Sequence, residues 1–533
     1  MINPARWGLP KINLRKWENN KVISLLWITG LLLFVLALSF SRLVRADLGH
    51  DEDQFIASAR LFLDHALLPY IDYPYFHTPY LIFLYALIFR FFNHNNLFAA
   101  RLLSLLFGTG TVFLVFGMVM VFSRDLSIRT RLLTASGIVL LYISNPLFIA
   151  TSNRSWNHDA SLFFALLALC MCLLASGNQR SLIWLFCAGL MLGIAVGTRA
   201  SYVTVIPAYV IGLLFMPNNK RIDNYLKSIG VFFSGFILAM LPIIYMFSIS
   251  PEKFIFGNLG YARLNTLYRF DVPAYGPMSL PQKVDYLFSN IVSQPGNMLV
   301  TIAFLYFGVV VGVYHLMQKD QERYQTILHF IYFPFLLVGV FLPTPSWYQY
   351  FYTLVPFALL FASSGLSYLM KISGESSPWF LRLLITFSLL SSLFVFNDFR
   401  RMSFLFHPHT WRPNLTHNIG EDIAEAIAIK NGSKQSRVLS LSPVYPLEGG
   451  LEIYPEFATG VFAWRSAPYL DEDERKQFGM VDEDNLEGYL EMSPPEAILV
   501  GFQPDLEESF IEYARQNGYT SQEVSPSMTL WIR

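Results

Sequence analysis

His50, Asp51, Glu52 and Asp53 stand together soon after the first long apolar stretch, and the chain continues through Arg60 to Tyr70, Asp72, Tyr73, Tyr75, His77 and Pro79. Carboxylates at a membrane exit are often plain solvated loop residues. Here the loop runs from Arg42 to Asn96, whereas segments that only connect helices are short. Its density of aromatic and polar groups suits stacking on sugar rings and hydrogen bonding to sugar hydroxyls. A second polar group, Arg154, Ser155, Trp156, Asn157, His158 and Asp159, lies where one apolar stretch hands over to the next. Asp159 reads either as a helix cap, worth about 1 kcal/mol, or as a functional acid facing the Asp51 loop. A third patch, Thr344 to Tyr352 with Gln349 and Tyr350, leads into Pro356; the alternative for it is an interfacial aromatic belt.

The elements that position these groups are set by composition. Of 533 residues, 54% are hydrophobic and only 14% are charged, against roughly a quarter charged in soluble domains. Most of the chain must therefore lie in lipid. The 38 basic and 38 acidic residues cancel, which gives no sign of a nucleic-acid binder. From Phe399 to Arg533 there are 21 acidic and 11 basic residues, and 17 and 27 precede them, so the neutral total hides two environments. Cys170, Cys172 and Cys187 lie inside apolar runs and read as core residues rather than a disulfide framework. The N-terminus is polar and basic, and the apolar run after it is too long for a signal-peptide core, so it reads as an uncleaved first span.

About 17 to 25 apolar residues cross a bilayer as a helix. Candidates fall near 22–41, 97–122, 132–150, 159–176, 182–197, 201–217, 228–249, 297–317, 326–343, 350–370 and 379–398. Eleven or so spans put the termini on opposite sides. Lys and Arg concentrate in alternate loops, with Arg6, Lys11, Arg15, Lys16 and Lys21, then Arg124, Arg129 and Arg131, then Arg180, Lys220, Arg221 and Lys227, Lys319 and Arg323, and Lys371. By the positive-inside rule these face the cytoplasm. Pro79–Phe92 is apolar but too short to span and is expected to lie along the outer face. The expected organisation is a cytoplasmic segment 1–21, a mainly α transmembrane domain 22–398 with outer loops 42–96 and 250–295, and an outer domain 399–533. In that last part, strands at 437–442, 497–501 and 528–533 with helices at 421–430 and 506–517 read as a small α/β domain. It carries no nucleophile motif or phosphate loop, and Gly449-Gly450 reads as a turn.

A cytoplasmic N-terminus, one span, a long outer loop opening with Asp51-Glu52, Arg60 nine residues on, an interfacial helix begun by Pro79 and Arg101 at the start of the next span resemble polytopic glycosyltransferases of the GT-C fold. Within that fold the chain resembles the family of protein O-mannosyltransferases and the aminoarabinose transferase of lipid A. The Asp159 junction and the Gln349 to Pro356 segment are similar to family features as well. His77-Thr78 and Gln54 depart from the family pattern, so the donor's identity does not carry over.

The resemblance implies a polyprenyl-phosphate-linked sugar donor. It makes Asp51 a general base that takes a proton from an acceptor hydroxyl, with Glu52 and Asp159 beside it. The leaving phosphate calls for cations, and Arg199, Arg263, Arg269, Lys253 and His77 are the outer-face candidates, Arg being favoured for its planar fork. Arg60, Tyr75, Arg101, Arg154 and Tyr350 complete the expected substrate-binding set. The acceptor is a lipid, a glycan or a protein. The carboxylates and histidines also offer ligands for a divalent metal, but their spacing commits to none. Rival readings are a transporter or flippase of lipid-linked sugars, against which the carboxylates fall at the outer ends of spans rather than the midplane and no repeated halves are seen, and a polysaccharide ligase or polymerase. The unpaired cysteines and small outer domain fit a bacterial inner membrane, while Asn-x-Ser/Thr triplets at Asn153, Asn414 and Asn431 leave a eukaryotic lumen open.

Overall fold

The computed structural model describes residues 21–92, 94–176, 181–217, 221–272, 276, 278–317, 323–374, 379–394, 396–432 and 436–533. The expected cytoplasmic segment, apart from Lys21, lies outside the described residues, as do Arg180, Lys220 and Lys319. Each of the eleven apolar stretches is mainly helical among its described residues. Among the described residues, eight helices are long and apolar enough to cross a bilayer: Val22–Arg45, Asn96–Phe122, Asn157–Ser176, Ser181–Thr198, Ile222–Ile249, Pro295–Met317, Tyr324–Phe341 and Tyr348–Ser373. A ninth candidate is Trp379–Phe394 with Asp398–Phe406, bent by 64°. They make the chain an integral membrane protein.

Two of the expected stretches are not single long helices because they break at polar and proline positions. The 132–150 stretch divides into Ile128–Ile143 and Pro146–Thr151. Pro146 takes the first helical position, where a missing N–H costs nothing, and the Asn145 side chain caps Leu147 N at 3.0 Å. The 201–217 stretch opens as a 3-10 turn, Ala200–Val205, before the short helix Ile206–Leu214. Tyr80–Phe89 is a ten-residue helix, about 15 Å long and so roughly half a hydrocarbon core. It packs on helices His50–His65 and Asn96–Phe122.

Glycine lets two spans meet backbone to backbone. A Cβ at Gly189 would fall 1.9 Å from Phe232 O, and one at Gly235 would fall 2.1 Å from Phe186 O. Ser181–Thr198 and Ile222–Ile249 thus interlock through small residues, as helices do where lipid supplies no hydrophobic drive. At the exit of the first span, Arg42 and Arg45 both pair with Asp398, tying the start of the first outer loop to the entry of the C-terminal part.

That part is an α/β domain on a five-stranded sheet ordered β2-β1-β3-β5-β4. Its strands are β1 Arg437–Ser440, β2 Glu452–Ile453, β3 Ala497–Val500, β4 Thr520–Ser525 and β5 Met528–Ile532. β1 runs parallel to β2 and β3, while β5 lies antiparallel between β3 and β4. Val438 and Leu499 belong to one buried cluster with Ile423 and Ile427 of helix Arg412–Asn431, and Leu439 and Ile498 to another with Phe510 of helix Glu508–Gln516. The sheet is therefore covered on both faces, which is why β3 reads as an unbroken apolar run.

Candidate active site

Asp51, Glu52 and Asp53 occupy the first turn of helix His50–His65. Consecutive helical residues point about 100° apart, and the three carboxylates accordingly have three surroundings. Glu52 is fully buried. Its Oε1 accepts from Arg101 Nε at 2.8 Å and from Ser155 N and Oγ at 2.9 and 2.6 Å. Its Oε2 accepts from Arg101 Nη2 at 2.6 Å and from Gly49 N at 3.0 Å. Burial alone would raise its pKa, but Arg101 outweighs that and holds it at about 2. Arg101, also fully buried, donates its remaining N–H groups to the carbonyls of Leu43, Ala46 and Asp47. Asp53 turns to the C-terminal domain, where its Oδ1 accepts from Ser442 Oγ at 3.0 Å and Val444 N at 3.2 Å.

Asp51 faces open space. It lines two adjoining cavities of about 310 and about 330 Å³, which share Phe76, His77, Trp156, Tyr261 and Tyr350 as walls. Its hydrogen bond among the described residues is a long one, 3.4 Å from Gln54 Nε2. Burial pushes its carboxyl up to about 6, against the pull of the Arg465 and Arg199 charges. His77 packs on Phe55 at 5.3 Å between ring centres, and burial together with the Arg199 charge lowers it to about 4, so it is neutral at pH 7.

The first cavity carries Arg199, which donates to the His158 ring at 2.6 Å and to Ser201 Oγ at 3.1 Å and lies 4.5 Å over the Tyr350 ring. The second carries Arg269, 5.1 Å over Trp347, and Arg465. Arg465 Nη2 donates to Asn265 Oδ1 at 3.0 Å, and the guanidinium lies 4.9 Å from the Tyr268 ring centre and 4.8 Å from that of Phe462. The site thus brings one carboxylate together with three guanidinium groups and several aromatic walls.

The other expected residues lie elsewhere. Arg60, nine residues from Asp51, falls on the opposite side of its helix. There it pairs with Asp64 at 3.3 Å, contacts His94 and lines a separate cavity of about 180 Å³. Asp159 is buried in the protein, its Oδ2 accepting from Asn153 N at 2.7 Å and its Oδ1 from Tyr352 OH at 2.9 Å. Arg154 stacks on Trp156, itself a cavity wall, at 5.0 Å. Tyr75 is buried against Tyr70 and His77, Lys253 donates to Ile71 O at 3.1 Å, and Arg263 is exposed. Among the described residues no three His, Cys, Asp or Glu side chains converge as a metal site would require. Arg465, Asn265 and Tyr261 were not anticipated. The one sequence signal for Arg465 is a lone cation in an apolar run, Val461-Phe462-Ala463-Trp464, inside an acidic domain.

Comparison with solved structures settles the architecture. ArnT from Cupriavidus metallidurans bound to undecaprenyl phosphate superposes with a TM-score of 0.60 at 15% identity, over 95% of this chain and 97% of that one. The chain has the GT-C fold. The apo form of the same ArnT gives a TM-score of 0.55 at 14% identity over 96% and 98%. The Archaeoglobus fulgidus oligosaccharyltransferase, tethered to an acceptor peptide, gives 0.50 at 12% identity over 95% and 74%. Residues 76–246 match the model of the dolichyl-phosphate-mannose-protein mannosyltransferase family. That match begins at the cavity wall Phe76 and takes in His77, Trp156, His158 and Arg199. A search of curated proteins gives no match.

Proposed function

We propose that the protein is a membrane glycosyltransferase that moves a sugar from a polyprenyl-phosphate donor to an acceptor hydroxyl, with Asp51 as general base. The observation that carries this reading is the Asp51 carboxylate in the shared wall of two adjoining cavities, one holding Arg199 and the other Arg269 and Arg465. A carboxyl near pKa 6 is largely ionised at pH 7 yet basic enough to accept a proton. Donor type is supported by the undecaprenyl phosphate in the structurally similar ArnT and by the family match.

In this reading the acceptor hydroxyl gives its proton to Asp51 while its oxygen bonds to the anomeric carbon. The bond from that carbon to the phosphate oxygen breaks, and polyprenyl phosphate leaves with the electron pair. Arg199 meets the developing negative charge, since a fixed guanidinium costs no reorganisation during the step. Glu52 and Arg101 act through Asp51 by fixing its helix. Neutral His77 and the Tyr350 and Trp156 rings offer hydrogen bonding and stacking to a sugar. The site lies at the end of the bundle away from Arg124–Arg131. The basic-loop pattern supports an outward-facing site and a cytoplasmic N-terminus, and the unpaired cysteines with the small outer domain fit a bacterial inner membrane.

The test is to give the purified protein, and its Asp51→Asn variant, a panel of polyprenyl-phosphate sugars with lipid, glycan and peptide acceptors. Transfer by the parent protein with inversion at the anomeric carbon, and its loss in the variant, is the expected result. Retention of configuration would rule out direct displacement, and equal transfer by both proteins would remove Asp51 from the mechanism.

A further inference from the structure

The two cavities that meet at Asp51 are built differently. The wall of the first includes Leu342, 66% exposed at the end of the span Tyr324–Phe341. This side therefore opens toward the apolar girdle of the bundle, where a prenyl chain would dissolve. The second is closed by the C-terminal domain through Phe462 and Arg465, with His50 and Gln349 nearby. A donor held by its lipid tail fits the first cavity, which leaves the second for the acceptor.

Arg465 is the unusual group in that second cavity. The Tyr268 and Phe462 rings and the Asn265 amide hold its guanidinium. Its Nε is buried without a hydrogen-bond partner among the described residues, and no carboxylate forms an ion pair with it there. Arg475 of the same domain, by contrast, pairs with Asp482 at 2.5 Å. Asp51 in the same cavity balances its charge from a distance, without a direct ion pair, so the guanidinium keeps hydrogen-bonding capacity that a ligand can take up. A planar fork pinned between aromatic groups is also poorly suited to solvent and well suited to an oxyanion. Arg269 stands in the same wall over Trp347, so an anion there meets two guanidinium groups.

We propose that Arg465 is a specificity-determining residue that receives a carboxylate or phosphate group of the acceptor in the second cavity, making the C-terminal domain the reader of acceptor charge. The assignment of the second cavity to the acceptor rests on the transferase reading given above. The presence of an anion-binding site there does not.

The experiment uses the full-length protein in phosphatidylcholine nanodiscs and three probes of equal chain length: octyl glucoside, octyl glucuronide and octyl glucoside 6-phosphate. Binding is measured for the parent protein, Arg465→Ala and Arg465→Lys. At least one charged probe should bind the parent at least tenfold more tightly than the neutral one, the glucuronide and phosphate arms showing which anion is preferred. That preference should vanish in Arg465→Ala and return in part in Arg465→Lys, with neutral-probe binding changed less than threefold. No charge preference in the parent, or a preference that survives Arg465→Ala, would overturn the proposal. Transfer from polyprenyl-phosphate sugars to the same probes is measured in parallel. A charge preference that depends on Arg465 without transfer to any probe would speak against the transferase reading and leave the anion site standing. Transfer with no such preference would do the reverse.

Discussion

Asp51 and Glu52 are neighbours on one helical turn, yet their carboxyls are held at about 6 and about 2. Both are enclosed, so burial raises both; the difference is the partner. Glu52 accepts two hydrogen bonds from Arg101 and two from Ser155, whereas Asp51 has one long contact from Gln54. Between pH 4.5 and 7, Asp51 changes its charge and Glu52 does not, so the helix presents one titrating group to the cavity while its anchor stays ionised.

Transfer activity should therefore rise with pH along a single ionisation near pH 6. Arg199→Gln should move that midpoint upward, because removing a nearby cation favours the neutral carboxyl. A pH profile of kcat/KM for both proteins checks this; an unchanged midpoint in the variant would mean that Arg199 does not act on Asp51.

Asp51→Asn should lose activity by about 10² to 10⁴-fold, the usual contribution of a positioned base, and yet unfold at a higher temperature at neutral pH. A carboxyl whose folded pKa is raised from 3.8 to about 6 contributes stability that is whole below 3.8 and lost as pH rises through about 6. The amide escapes that loss, which is about 3 kcal/mol for a shift of this size and less where solvent screens the group. Thermal unfolding of both proteins from pH 4.5 to 8 should show the gap opening with pH, and parallel curves would contradict the assignment.

Much of this was legible in the sequence, for physical reasons that also explain the rest. Spans such as Asn96–Phe122 announce themselves because lipid demands a long apolar run. The Asp51 loop stood out because carboxylates and tyrosines crowd a segment that had no need to be long. The separate fates of Asp51, Glu52 and Asp53 were not legible, since three adjacent acids look alike until the helix fixes their directions. The family resemblance groups Arg60 with Asp51, although nine helical residues place it on the far side. β2 and β4 were missed because one has two residues and the other, Thr520–Ser525, is a polar edge strand without apolar alternation. Arg465 reaches the cavity only through the docking of one domain on another, and no local pattern encodes that.

Glu52→Gln should destabilise the protein by about 3–5 kcal/mol, the usual cost of leaving a buried partner charge unmatched. The lowered Glu52 pKa contributes stability that is present above 4.5 and lost only as pH falls through about 2. The loss in Tm relative to the parent should therefore be the same at pH 5 and pH 8. A pH-dependent loss across that range would show that Glu52 is not the ionised partner of Arg101.

The docking of the C-terminal domain gives the last prediction. Asp53 Oδ1 accepts from Ser442 Oγ and Val444 N, both on the segment that follows β1, while Oδ2 is buried without a partner among the described residues. Burial raises the Asp53 carboxyl well above its usual value, and the contact the structure gives it is made through one accepting oxygen, which an amide also supplies. Asp53→Asn keeps the accepting oxygen and should leave the domain docked. Asp53→Leu strands two buried donors and should cost about 2–4 kcal/mol, at about 1–2 kcal/mol for each. Undocking removes Arg465 from the second cavity, so Asp53→Leu should weaken acceptor binding more than it slows hydrolysis of the donor by water. Limited proteolysis of the 399–533 region, run beside acceptor KM and donor hydrolysis rates, distinguishes the cases. Faster cleavage in Asp53→Leu but not in Asp53→Asn, with a selective rise in acceptor KM, is the expected pattern. Equal cleavage of all three proteins would mean that the domain is held by other contacts, such as Glu448 on Leu97 N and His50 on Gln503.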